Sequence, residues 1–135
     1  EDLRKEGKIK AFGVSNFNIQ QLIQALEKGF AITNNQIEYH PSLNEQELQN
    51  FCEMNKVIVT AYSPLGQGKD LEIQVIKEIA DNFQASPAQV ILAWHFQQGR
   101  VAIPRALAKE HIEENFKSLN IELSKEDLEK IDSIG

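Results

Sequence analysis

The sequence predicts an α/β protein in which parallel strands alternate with amphipathic helices. β-rich runs and helical stretches succeed one another in the order βαβαβ(αα)βα(α). The run Val57-Ile58-Val59-Thr60-Ala61-Tyr62 is almost continuously apolar, as strands buried on both faces are. Four strands, each followed by a helical segment, imply right-handed crossovers between parallel neighbours. Two architectures satisfy this pattern: an open doubly wound sheet, or half of a (β/α)8 TIM barrel. A complete barrel takes roughly 250 residues, and this chain has 135.

Each element has its own local warrant. Lys8 to Val14 reads as a strand that stops at Ser15-Asn16. Asn18 is the expected cap of the next helix, with Gln21 as capping-box partner. Ile19, Leu22, Ile23 and Leu26 form its apolar face, and Gly29 ends it. A strand from about Thr33 to Tyr39 closes at Pro41. Asn44 is the expected cap of a second helix, which presents Leu48, Phe51 and Cys52. After the third strand, Ser63 to Gly68 reads as a loop, and the helix beyond it carries Ile76, Ile79, Ala80 and Phe83 on one face. Ser86-Pro87 restarts the chain as cap and first helical residue, with Gln89 closing the box. The next helix, Ala88 to about Gln98, is apolar almost all round and should be largely buried. Val101-Ala102-Ile103 is a short strand ended by Pro104. A helix from about Lys109 to Leu119 presents Ile112, Phe116 and Leu119. The last helix, capped by Ser124 with Asp127, presents Leu128 and Ile131. No linker, repeat or low-complexity tract divides the chain, so residues 1–135 are expected to form one domain, incomplete if they are half of a barrel.

Composition narrows the function. Fourteen Lys+Arg against twenty Asp+Glu give a net charge of −6, which disfavours a nucleic-acid partner because phosphate-backbone binding needs a basic face. No apolar run approaches the roughly 18 residues of a membrane span, so no membrane partner is expected. Glu1 to Glu6 match no targeting signal. The single cysteine, Cys52, cannot form an internal disulfide, which makes a cytoplasmic location the expectation. His40, His95 and His111 with Cys52 lack metal-ligand spacing. Gly66-Gln67-Gly68 does not match the G-x-G-x-x-G dinucleotide fingerprint. His40, His95, Cys52, Trp94 and Phe96 read as structural residues.

In both architectures ligands bind outside the carboxyl ends of the strands. Polar residues gather there at every strand: Ser15-Asn16 after the first, Gln36 and Glu38 towards the end of the second, Tyr62-Ser63 after the third, and Pro104-Arg105 after the fourth. Their chemistry is recognition. Ser15, Asn16 and Gln36 match the donors and acceptors of a carboxamide. Tyr62 could stack a flat ring, and Arg105 could clamp a phosphate.

Four stretches together resemble the aldo-keto reductases: Gly13-Val14-Ser15-Asn16-Phe17, Asn35-Gln36-Ile37-Glu38-Tyr39-His40-Pro41, Ala61-Tyr62-Ser63-Pro64-Leu65-Gly66, and Ile103-Pro104-Arg105 with Glu114-Asn115. Their order and spacing over essentially the whole chain make the match specific. The resemblance implies the C-terminal half of that family's (β/α)8 barrel. It implies that Ser15, Asn16 and Gln36 hold the carboxamide of a nicotinamide and that Tyr62 stacks on its ring. By the same resemblance Ser63 and Leu65 hold the pyrophosphate, Arg105 lies beside the ribose phosphate, and Glu114 and Asn115 bind the adenine. The implied cofactor is NADPH, and the implied substrate is a small aldehyde or ketone.

Three departures qualify that expectation. Ala106 stands where the family often has a small hydroxyl residue. His111 stands where an arginine commonly meets the 2′-phosphate, and an unperturbed histidine is mostly neutral at pH 7. Use of NADH alongside NADPH is therefore expected. The family's acid-base tyrosine, lysine, aspartate and histidine belong to the other half of its barrel, so this chain is expected to hold no catalytic residue and to be inactive alone. Its expected partner is the missing N-terminal half-barrel or a second copy that closes the barrel. The alternative, from another functional class, is a non-catalytic nucleotide-binding or assembly module on a half-barrel.

Overall fold

The computed structural model describes all 135 residues. In chain order the elements are α1 (Asp2–Lys5), β1 (Phe12–Ser15), α2 (Ile19–Glu27), β2 (Ile32–Glu38), α3 (Gln46–Met54) and β3 (Ile58–Tyr62). After these come α4 (Gln74–Phe83), α5 (Pro87–Gln97), β4 (Val101–Ala102), α6 (Lys109–Lys117) and α7 (Lys125–Asp132). Short 3-10 segments cover Gly66–Glu72 and Ser118–Asn120. The four parallel strands make one sheet in the order β1-β2-β3-β4. Two compact units are distinguished along the chain: Glu1–Ile37 with Glu45–Thr60, and Glu38–Asn44 with Ala61–Gly135.

In the first unit β1 and β2 pair in parallel, with Ser15 in register with Gln36. β1 is shorter than the expected strand from Lys8. The amides of Lys8 and Ile9 both turn back to the carbonyl of Leu3, at 2.9 and 3.4 Å, so they are not available to a sheet ladder. Gly13 is required by close approach: a Cβ there would lie 2.8 Å from the Asn34 carbonyl oxygen. The capping box at α2 forms as expected, with the Asn18 side chain accepting from the Gln21 amide and the Gln21 side chain from the Asn18 amide. Leu22 is fully buried, whereas Ile23 is exposed, so the covered stripe of α2 is narrower than its apolar spacing. Leu48 and Cys52 of α3, with Ile32, Ile37, Val57 and Val59, are the other buried apolar residues of this unit. Asn44 does not cap α3. The helix begins after Glu45 without a side-chain cap, because the Asn44 side-chain amide accepts from Tyr39 Oη (2.7 Å) and donates to the Asp132 carbonyl (2.8 Å).

The second unit is built around α5. Its capping box is complete, with Pro87 in the first turn, and six consecutive residues, Val90 to His95, are buried. A helix without a polar face must be enclosed by its neighbours; here Ile76, Ile79 and Ala80 of α4, Leu123, and Ile131 of α7 are buried in the same unit. The capping box of α7 also forms, between Ser124 and Asp127. β4 is one residue shorter than expected, although the Ile103 amide still donates to the Ala61 carbonyl (3.1 Å). The expected α4 face is covered except at its last residue, and the expected α6 face is not covered. Phe83 is more than a third exposed, and on and just after α6 Ile112, Phe116 and Leu119 are all exposed, Phe116 by 72%. α6 is instead tied to α5 by a polar contact, from Gln89 Nε2 to the Glu114 carbonyl (3.0 Å). No helix is long and apolar enough to cross a membrane.

Truncating Ile91, fully buried on α5, should leave a cavity that the enclosed helix cannot collapse into. Ile91→Ala is expected to lower the unfolding free energy by about 2–5 kcal/mol, measured by urea denaturation.

Candidate functional site

In the first unit the ends of β1 and β2 bring Ser15, Asn16 and Gln36 together. Ser15 Oγ donates to the Gln36 carbonyl (3.1 Å), and the Asn16 amide donates to the same oxygen (2.9 Å). Asn16 takes φ 57°, a left-handed turn that asparagine tolerates better than most residues. Buried Asn35 anchors the backbone one residue further on: its side chain accepts from the Phe17 amide (3.3 Å) and donates to the Phe17 carbonyl (2.8 Å). Ser15 and Asn16 are exposed and Gln36 is half-buried. With its donor used, the Ser15 hydroxyl still offers lone pairs to a ligand. Cys52 is fully buried, and burial pushes its thiol pKa up, partly offset by a hydrogen bond with Asn35. That thiol is a core group.

In the second unit Tyr62, Ser63, Leu65 and Arg105 gather on and beyond the ends of β3 and β4. A cleft of about 400 Å³ is lined by Ser63, Leu65, Gln67, Gly68 and Arg105 with Pro64 and Pro104. A second cleft, of about 470 Å³, shares Leu65 and Arg105 and continues past Lys77 to His111, Glu114 and Asn115. Both volumes suit a small-molecule ligand. The charges around the second cleft are mostly paired within the chain: Lys77 with Glu72, and His111 Nδ1 at 3.7 Å from Glu114 Oε2. Arg105 takes part in none of the chain's ion pairs. Its guanidinium is the exposed cation where the two clefts meet.

The backbone between these residues is strained. Ser63 (φ 47°) and Gln67 (φ 54°) lie in the left-handed region, as do Gly66 (57°) and Gly68 (89°). Ser63 also precedes a proline, where an extended φ near about −120° is usual. A side chain on Gly66 would meet Asp70 Oδ1 at 2.5 Å. Asp70, almost fully buried, accepts from Ser42 Oγ (2.7 Å) and the Ser42 amide (3.0 Å), and lies 2.8 Å from His40 Nδ1. His40 is therefore the structural histidine the sequence suggested, tied to Asp70 with Glu38 3.8 Å from its other ring nitrogen.

Sequence reasoning passed over Asp70, Lys77 and Arg100. Arg100 is buried, with its guanidinium carbon 4.4 Å from the Tyr39 ring centre and 4.1 Å from that of Trp94. It donates to His95 Nδ1 (3.1 Å), Tyr39 Oη (3.3 Å) and Gln98 Oε1 (3.1 Å). His95 Nε2 reaches the Pro64 carbonyl (3.3 Å). Burial, then the Arg100 charge, drive the His95 pKa down to about 3, and burial lowers Arg100 to about 10. The one available signal was negative: an arginine between a helix end and an apolar strand has no carboxylate at helical spacing.

Four parallel strands alternating with helices, with two small-molecule-sized clefts beyond the ends of β3 and β4, set the class. The aldo/keto reductase family model matches residues 1–135, and the chain belongs to that family. It is 42% identical to glyoxal reductase of Bacillus subtilis, over all of this chain and 49% of that protein. It is 42% identical to aldose reductase B of Dictyostelium discoideum, over all of this chain and 44% of that protein. Among solved structures, a variant of Gox0644 in complex with NADPH superposes with TM-score 0.93 at 32% identity, covering 98% of this chain and 49% of that one. The chain spans about half the length of the curated relatives it matches, and its fold corresponds to about half of their (β/α)8 barrel.

The low His95 pKa fixes a sign for stability. Between about pH 3 and 6.5 the unfolded chain binds a proton at this residue that the folded chain does not. Stability therefore rises with pH across that window and is lost as pH falls below 6.5. In urea melts the unaltered protein should lose more stability than His95→Gln between pH 6.5 and 4, by up to about 1.4 kcal/mol per pH unit.

Proposed function

We propose that the chain supplies the cofactor-binding part of a reductase that uses NADPH, and NADH less well, to reduce small aldehydes or ketones to alcohols. The observation that carries this reading is the pair of clefts that share Leu65 and Arg105, with Arg105 the cation left without an ion-pair partner. A guanidinium fork is suited to a phosphate. Arg105 is accordingly assigned to the ribose phosphate, with Ser63 and Leu65 on the pyrophosphate and Glu114 and Asn115 on the adenine. Tyr62 is assigned to the nicotinamide face, and Ser15, Asn16 and Gln36 to its carboxamide. The likeness to an NADPH-bound Gox0644 variant supports the same cofactor. When bound, the reduced nicotinamide supplies hydride for the carbonyl carbon.

No residue of this chain is assigned to proton transfer. Tyr39, the tempting phenol, is fully buried, with its hydroxyl spent on Asn44 and Arg100. The exposed apolar side chains of Val101, Ile103, Ile112 and Phe116 are assigned to contact with further strands and helices of a closed barrel. A single buried thiol accords with a reducing, cytosolic setting.

His111 sets the selectivity. It is exposed beside Glu114, so its position in the second cleft lacks the second permanent charge that an arginine would add to that of Arg105. In fluorescence titrations of the full-length protein, Arg105→Ala should weaken NADPH binding by about tenfold or more. His111→Arg should raise the preference for NADPH over NADH by roughly tenfold. Unchanged NADPH binding in Arg105→Ala contradicts the assignment, and a preference above about a thousandfold in the unaltered protein contradicts the relaxed selectivity. Carbonyl reduction by the same sample separates an enzyme from a nucleotide-binding module.

A further inference from the structure

The strained stretch that lines the first cleft needs something to hold it, and its hydrogen bond with α5 is unusual. Ser63 sits in the left-handed region immediately before Pro64, and a backbone in a disfavoured region persists only where its surroundings over-determine it. Pro64 has no amide hydrogen to donate, so its carbonyl is the only backbone hydrogen-bonding group it can be held by. That carbonyl faces His95 Nε2 at 3.3 Å, in a fully buried position.

A neutral imidazole carries one ring proton, and which nitrogen bears it decides whether the Pro64 contact exists. Arg100 makes that choice. Arginine has only donors, and its Nε–H is aimed at His95 Nδ1 at 3.1 Å. Nδ1 must then be the acceptor, and the proton must stand on Nε2, pointing at the Pro64 carbonyl. Arg100 itself lies over the rings of both Tyr39 and Trp94. Its Nη2 is buried without a hydrogen-bond partner. Burying a guanidinium with an unmet donor is costly, which argues that its other donors matter at this place.

We propose that Arg100 and His95 form a tautomer lock that holds the Pro64 carbonyl and so keeps the Ser63-Pro64-Leu65 backbone in the shape the cofactor cleft requires. They are positioning residues: neither lines either cleft. The proposal rests on the cofactor reading above for its effect on binding, but not for the tautomer itself. Burial and the Arg100 charge keep the His95 ring neutral, so it has a single proton to place.

Two measurements on the full-length protein test it. Nitrogen-15 NMR of the His95 ring should show the Nε2–H form alone from pH 5 to 9, and Arg100→Met should yield a mixture of tautomers. An Nδ1–H ring or a mixture in the unaltered protein overturns the lock, whatever the protein binds. For affinity, His95→Leu and His95→Gln are compared by NADPH fluorescence after thermal melts identify which variants are folded. Glutamine can accept from Arg100 through Oε1 and donate to Pro64 through Nε2, so His95→Gln should bind within about threefold of the unaltered protein. His95→Leu should bind about tenfold more weakly. Equal affinity of a folded His95→Leu overturns the proposal, as does equal weakening in both variants. If His95→Leu does not fold, the ring tautomer and His95→Gln decide. Absence of NADPH binding by the unaltered protein sinks the cofactor reading instead, and leaves the tautomer result standing on its own.

Discussion

The second unit is organised around a guanidinium that has no carboxylate within ion-pair distance. Arg100 lies in the turn between α5 and β4, and its charge is taken up by the faces of Tyr39 and Trp94 and by neutral acceptors on His95, Tyr39 and Gln98. Two desolvated cation–π contacts are worth about 2 kcal/mol or more each, against a desolvation cost of several kcal/mol for the ion. The balance is close, so stability alone is a weak reason for an arginine here. Its geometric consequences are clearer. It fixes Tyr39 at the end of β2, and Tyr39 Oη in turn holds Asn44, whose side-chain amide reaches the Asp132 carbonyl of α7. Asp132 also accepts from Trp94 Nε1 and Gln98 Nε2. One buried polar network thus ties the last helix to α5 and to the residues after β2.

The same unit carries a stretch of backbone that could not hold itself. Ser63, Gly66, Gln67 and Gly68 all take positive φ within six residues, and each non-glycine in that region costs about 1–3 kcal/mol. Both ends of the stretch meet buried polar groups: His95 at Pro64, and Asp70 just beyond Gly68, held by Ser42 and His40. Anchored at both ends, the loop forms one wall of the clefts that contain Leu65 and Arg105.

Local chemistry was the legible part of this sequence. The three capping boxes at Asn18, Ser86 and Ser124 depend on residues three apart, and all three form. The all-apolar segment of α5 announced its own burial. What the sequence hid depends on distant partners. Asn44 looks like a helix cap until Tyr39 and Asp132, the latter 88 residues away, claim both ends of its amide. Lys8 and Ile9 look like the start of a strand until their amides fold back on Leu3. Periodicity on α6 marks Ile112 and Phe116 as a face without saying what covers it, and in this chain they stand in solvent. Of the candidate site, the positions proposed for the cofactor were read from short motifs, and the structure draws Leu65, Arg105, His111, Glu114 and Asn115 to one cleft. The buried charged groups of the same unit, Arg100 and Asp70, were silent because charged residues ordinarily lie in water.

The central claim is that the joined clefts at Arg105 take the nucleotide. Hydrogen–deuterium exchange of the full-length protein with and without NADPH tests it most directly. Binding should slow exchange across Ser63 to Gly68 and from Arg105 to Asn115, while the amides at the start of α3 keep their rates. Unchanged exchange in both stretches at a saturating concentration of NADPH would contradict it.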